Sequence, residues 1–504
     1  MKFLRVLSVL ALVALIATGA YAETQNVKVS GDLAIRGFAR DNYGLNTGAF
    51  LVGGTPNEQN ATNNKSNIAR PNQSWFMSTT EVQIDADLTD NVSTCIRLVN
   101  QRDWNVANTA AVTGYGSLEQ VSTFGSGGFG HSDAYGTADY DEFGVDLELA
   151  YITLKNFLYS PLTVSVGRQN LWFGKGFIVG ANQRVNLNQP ISAPEYTALN
   201  AFDSVKAVLD FDPWTLTGIY SKIWQNDIQA DDGLDLWGVN VGYKFDAYKA
   251  EAEAYWFYKR DLQVRAFGQE KNGSNNVNTI GMRGSLDPID SITVYAEAAM
   301  QTGNYLGTQV QAVDRSRLAG AIDVGAEFRY FMDKWAWKPK LGVEFIWYSG
   351  DREGVAGDLA SGSGQFNGWD PMFRGKSDSL IREYIGRYYF SQKYGFNDHN
   401  YYNSVDASFQ NQGQIIFSGS LQPMDSLKLT GNLNMFWNQY SYDPTTMKDR
   451  GYVGTELDMG ATWDYTEDVS FNLAAGFFVP GDVYRQQGTP TTASDVVASV
   501  KVSF

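Results

Sequence analysis

The chain of 504 residues has one cysteine, two histidines and no long apolar run beyond its first 22 residues. Each scarcity removes a class of explanation. Cys95 alone cannot make an internal disulfide, and with no CxxC or CxxCH there is no support for structural zinc or haem attachment. His131 and His399 lie far apart in predicted loops, so general-base catalysis of the serine-histidine kind has no scaffold, and neither a catalytic nor a metal site is expected. No window of about 18 apolar residues follows the N-terminus, which excludes membrane-spanning helices. Basic charge is also short, with 39 Lys and Arg against 55 Asp and Glu, a formal charge of −16. That balance disfavours nucleic acid, whose binding needs a basic face.

What is present is alternation. The last eleven residues, Ser494 to Phe504, place Val496, Ala498, Val500, Val502 and Phe504 on one face and Asp495, Ser499, Lys501 and Ser503 on the other. Successive side chains of a strand point to opposite faces, and a membrane barrel must write apolar-out, polar-in along every strand. Such strands are only half apolar, so a mean hydropathy of −0.28 is compatible with them. Aromatics at 14% and 50 glycines fit interfacial girdles and tight strand packing.

The N-terminus reads as a secretory signal. Lys2 and Arg5 precede an apolar stretch from Val6 to Ala17 and a small-x-small site at Ala20-Tyr21-Ala22. Cleavage after Ala22 is expected, leaving Glu23 to 504 as a single barrel with long extracellular loops and lowering the formal charge to about −18.

Period-two reading between turn signals gives eighteen strands: 27–40, 74–89, 92–104, 144–157, 161–170, 202–211, 213–224, 234–245, 247–260, 277–287, 290–302, 318–332, 336–349, 412–422, 425–440, 451–465, 467–480 and 494–504. The gaps alternate between short and long. An even number of antiparallel strands, short periplasmic turns and long outer loops define a bacterial up-and-down β-barrel with both termini periplasmic. The expected location is the bacterial outer membrane, with lipid outside and a permeating solute inside.

Taking the polar face as luminal yields a ladder of pore-lining charges: Arg36, Asp85, Arg97, Asp146, Glu148, Lys206, Glu251, Glu253, Arg283, Glu297, Glu327, Arg329, Glu344, Lys428, Glu456 and Asp458. Any one of them, taken singly, reads better as a cross-strand partner that holds the wall. As a set, with acids in excess, they predict a weak cation preference for small ions at low salt. Arg168 and Asp203 share the parity of apolar neighbours at facing strand ends and are expected to pair at the outer rim. Loops 105–143 and 350–411 are too long for mere closure. The second is aromatic enough to fold inward as a constriction, and its bases Arg374, Lys376, Arg382 and Arg387 could make that constriction positive. The Gly-rich tract Phe124 to Gly130 sits in a loop, not between strand and helix, and is no phosphate cradle.

Six stretches, Val166-Gly-Arg-Gln-Asn-Leu-Trp-Phe-Gly174 with Ala201-Phe-Asp-Ser-Val-Lys-Ala-Val-Leu209, Tyr348-Ser-Gly-Asp351 with Trp369-Asp-Pro-Met-Phe373, and Gly454-Thr-Glu-Leu-Asp-Met459 with Val479-Pro-Gly481, resemble the alginate-export family of outer-membrane porins. The resemblance implies a monomeric eighteen-stranded barrel passing a polyuronate or another charged solute, and no cofactor is expected. Ser204 and Lys206 stand where that family tends to have Gly and Arg, and the lumen counts as mixed where polyuronate passage would want it strongly basic. A general diffusion porin for small cations or sugars, and a structural or adhesive barrel, remain as alternatives. The sparse histidines speak against an outer-membrane hydrolase.

Overall fold

Alternating sequences become strands because one face can then meet hydrocarbon while the other meets water, and closing the sheet leaves no backbone group unpaired in lipid. The computed structural model describes residues 26–43, 45, 72–104, 144–182, 191, 193–225, 233–262, 275–306, 314–329, 334–351, 365–375, 379–384, 410–440, 442–443, 448–449, 451–487 and 490–504. In chain order the strands are β1 (Asn26–Asp41), β2 (Asn72–Thr89), β3 (Val92–Asp103), β4 (Asp146–Leu154), β5 (Leu162–Gln169), β6 (Phe202–Asp210), β7 (Trp214–Trp224), β8 (Leu234–Phe245), β9 (Ala250–Asp261) and β10 (Asn275–Ile289). They continue with β11 (Ile292–Leu306), β12 (Asp314–Phe328), β13 (Lys340–Tyr348), β14 (Gln412–Met424), β15 (Leu427–Asn438), β16 (Tyr442–Asp443), β17 (Lys448–Asp449), β18 (Tyr452–Asp464), β19 (Val469–Pro480) and β20 (Ala493–Ser503). β16 and β17 form a separate two-stranded ribbon, and the other eighteen make one antiparallel sheet.

That sheet closes on itself. β20 pairs with β1 from Asp32↔Ser503 to Asp41↔Ser494. Phe504 adds two reciprocal backbone bonds with Gly31, each 2.9 Å. Its ring lies over Gly31, where a Cβ would come within 2.6 Å of Phe504 Cζ, and it stays exposed on the face shared by Val27, Val29 and Leu33. The two faces are well separated. On β18, Leu457, Met459 and Trp463 are exposed outward while Glu456 is wholly buried inside. At the short-turn end Tyr159, Trp214, Tyr248, Trp335, Trp337 and Tyr465 stand exposed, an aromatic girdle at the level where amphipathic rings prefer to sit.

The strand boundaries expected from periodicity hold to within a few residues, and β8 agrees at both ends. Residues 1–25, 46–71, His131, His399, the 124–130 tract, Lys376 and Arg387 lie outside the described residues.

Candidate channel constriction

Two outer loops fold into the barrel, one following β5 and one following β13. Their backbones meet: Gly180 and Ala181 donate to the Phe373 carbonyl at 2.8 and 3.0 Å, Phe373 donates to Ile178 at 2.9 Å, and Gly375 donates to Gly176 at 2.9 Å. The sequence turns them inward because both are apolar. Phe177, Ile178, Val179, Trp369, Met372 and Phe373 are buried in one cluster with Phe202, Leu236, Phe257, Val277, Ile346 and Ile416, which are inward-facing wall residues. Burial of side chains this size contributes about 1.5–3 kcal/mol each. The lumen is therefore apolar at its outer end on this side, not polar along its whole height as strand alternation alone implies.

Polar anchors fix the depth of the loops. Lys259 Nζ on β9 lies 2.5 Å from Asp370, and both side chains are almost completely buried. Gln301 donates to the Asp370 carbonyl at 2.6 Å and accepts from the Asp370 N–H at 2.8 Å. Burial alone would raise the Asp370 pKa, but Lys259 and Arg317 outweigh it and hold the carboxyl below the usual carboxylate range. Arg317 donates to the Gly368 carbonyl at 2.6 Å and lies 4.8 Å over the Phe366 ring, which stacks on Tyr305 at 3.7 Å. Further along, Glu456 accepts the N–H groups of Leu380, Ile381 and Arg382 at 2.7, 2.8 and 2.6 Å. The first loop reaches across to β12 and β13, where Lys175 lies 3.3 Å from Glu344, 4.0 Å from Asp323 and 3.4 Å over the Tyr295 ring.

Beside the closing seam, the segment 193–200 lines the opposite wall. Ile191, Ala193 and Tyr196 pack on Phe38, Met77 and Val497. Arg40 bridges Asp495 at 3.1 Å and Glu195, while Tyr43 donates to Asp495 at 2.8 Å. Glu148, left between register positions on β4, accepts the Asn200 N–H at 2.8 Å. Arg168 and Asp203 stand directly opposite one another, with charged groups 3.3 Å apart, and Arg168 also approaches Glu148 at 3.8 Å.

The remaining ladder residues form local groups. Arg283 sits between Glu251 and Glu253, at 2.7 and 2.5 Å. Glu297 accepts from Tyr255 at 2.7 Å. Arg97 donates to Gln83 at 2.8 Å and lies 3.5 Å from Glu81, and Gln83 in turn donates to Asp85 at 2.7 Å. Arg36 donates to Thr79 at 3.0 Å and faces the Tyr196 ring. Near the short-turn end Glu327 lies 3.7 Å from Arg329 and 3.5 Å from Lys340, and Arg329 lies 3.3 Å from Asp287. Asp458 accepts from Asn434 at 3.3 Å. Asp146 and Lys428 are exposed.

The loop bases occupy a different environment from the one their charge suggests. Arg374 and Arg382 do enter the lumen, but both are buried: Arg374 is 3.7 Å from Glu383 and 5.4 Å over Tyr348, and Arg382 donates to Gln412 at 3.0 Å. A guanidinium stacked on a ring satisfies its charge against the wall. Sequence reasoning missed Trp172, Lys175 and the Lys259–Asp370 pair. The signals available were the density of glycine and aromatic residues in 171–180 and the place of Trp172 and Asp370 within the stretches that carry the family resemblance.

A closed eighteen-stranded antiparallel barrel with an apolar outer face, aromatic girdle and charged lumen narrowed by its own loops defines an outer-membrane channel. Residues 61–498 match the family described as Alginate export, and the chain belongs to that family, one of channels rather than enzymes. Similar solved structures include Acinetobacter baumannii OccAB1, with 10% identity, 97% of this chain and 98% of that one covered, and a TM-score of 0.53. Pseudomonas aeruginosa OccK9 (OpdG) is 11% identical, with coverage of 95% and 99% and a TM-score of 0.51. Pseudomonas aeruginosa OccK2 (OpdF), solved in complex with glucuronate, is 9% identical, with coverage of 95% and 98% and a TM-score of 0.50. No curated protein matches the sequence.

Proposed function

We propose that this barrel passes a small charged or polar solute passively across the outer membrane, as a monomer without cofactor. The observation that carries the reading is the pair of inward loops, seated by apolar contacts and buried ion pairs, which narrows the outer half of the lumen above a charged wall. Passive permeation through such a constriction depends on pore size and wall charge. A fixed narrow passage suits a monomeric solute, and OccK2 offers a precedent for an anionic sugar in a barrel of this shape. Family membership favours a second reading, passage of an acidic polysaccharide such as alginate. For small inorganic ions the acid excess favours cations weakly at low salt, an effect screened above about 0.1 M.

The test is solute flux into liposomes carrying the purified barrel, with monomeric uronate, neutral hexose and polyuronate compared, alongside reversal potentials in a salt gradient. Faster entry of polyuronate than of its monomer would refute the small-solute reading. The N-terminal segment is proposed to be removed after Ala22, so the mass of the protein isolated from outer membranes should correspond to a chain starting at Glu23.

A further inference from the structure

A cavity of about 320 Å³ opens into the lumen beneath the first inward loop, bounded by Leu171 to Gly174 and by the luminal faces of β6 to β9. One wall is the indole of Trp172. Three glycines from two loops cradle it: an added Cβ would come within 2.6 Å of the ring at Gly176, 3.0 Å at Gly180 and 2.7 Å at Gly375. Its Nε1 donates to the Gly174 carbonyl at 3.0 Å. Backbone thus holds the ring in place, yet Trp172 remains 55% exposed. An apolar ring kept open to a water-filled lumen is unfavourable until something covers it.

The charge of the cavity is unevenly committed. Glu251 and Glu253 both pair with Arg283, and Glu253 also accepts from Asn240 at 3.1 Å. Lys244 stands opposite Glu251 in register. Lys206, half-buried on β6, has neither an ion pair nor a side-chain hydrogen bond among the described residues. A cation partly removed from water gains from an anion brought to contact. The acids are answered, Lys244 is exposed to water, and Lys206 is the half-buried base without an anion among the described residues.

We propose that this cavity binds a single six-membered ring bearing one carboxylate, the ring face stacked on Trp172 and the carboxylate on Lys206. The volume lies at the small end of ligand sites, matching one ring and not an oligomer. The proposal rests on the channel reading above and refines it by naming the solute class. Aromatic carboxylates and hexuronates share this chemistry.

The experiment is titration calorimetry of the full-length barrel in detergent with benzoate, galacturonate, acetate and glucose. At least one ring carboxylate should bind about tenfold more tightly than acetate and glucose, and which of the two does so identifies the source. Trp172→Leu should weaken that ring carboxylate at least fivefold and leave acetate unchanged. Lys206→Met should weaken every carboxylate about tenfold and leave glucose unchanged, with heat-modifiable gel mobility showing that both variants are folded barrels. Acetate binding as tightly as both rings, or wild-type affinity in both variants, would overturn the site. Liposome flux separates the two claims: flux without such binding leaves the channel reading and removes the site, whereas binding without flux removes the channel reading.

Discussion

Lys259→Met tests whether the buried pair with Asp370 holds the second loop in the lumen. The side chains are 4% and 2% exposed, so removing the ammonium leaves a buried carboxylate supported by the Met372 N–H at 2.9 Å and the more distant charge of Arg317. Breaking a buried pair from one side costs about 3–5 kcal/mol. At about 1.4 kcal/mol per power of ten, that moves the balance between seated and released loop by two to three and a half orders of magnitude. Trp369, Met372 and Phe373 remain seated, and three burials of about 1.5–3 kcal/mol each match or exceed the loss. The variant should therefore show frequent brief openings and not a permanently wide pore. Single-channel recording in planar bilayers reads this as added current noise with an unchanged main level, and limited proteolysis reads it as faster cleavage within 365–375. Lys259→Met combined with Asp370→Asn should be quieter than Lys259→Met alone, because the buried carboxylate that lost its ammonium is itself removed. A single variant with wild-type noise and wild-type proteolysis would refute the anchoring argument.

Because the Asp370 carboxyl is held below its ordinary range, its contribution is present above the unfolded value near 4 and is lost only as pH falls through the still lower folded value. Current noise should accordingly be flat from pH 8 to 5 and rise below about 4, and a rise near pH 6 would contradict this. Deleting Phe504 removes both backbone bonds to Gly31 and the ring over it, so outer-membrane levels measured by immunoblot should fall while conductance per inserted channel stays the same.

The wall was legible because period two reports which face a residue joins, and membrane and lumen impose opposite chemistry on the two faces. Even so, β9 begins at Ala250 and not at 247, since Tyr248 and Lys249 take positive φ values of 61° and 47° in the turn. β13 begins at Lys340 after a turn through Trp335 to Lys338 that looked like strand. The constriction was less legible. Lys259 and Asp370 are 111 positions apart, and alternation says nothing about what stands across the lumen or at what depth. Arg374 and Arg382 carry the charge of pore residues but meet Tyr348 and Phe436 instead, a choice made by loop packing.

The seam between β1 and β20 also has a kinetic meaning. Asp32 and Ser503 hydrogen-bond across a separation of 471 residues, which as a bare loop closure would be a very slow contact to form. Every other wall strand pairs with its neighbour in sequence, so the sheet can zip hairpin by hairpin and bring the two ends together before they bond. Until then the first and last strands both expose open edges, which hydrocarbon does not tolerate and which invite pairing with other chains. Joining β20 to β1 is thus the closing step of assembly, and a sheet that has not yet made this seam carries two open edges at once.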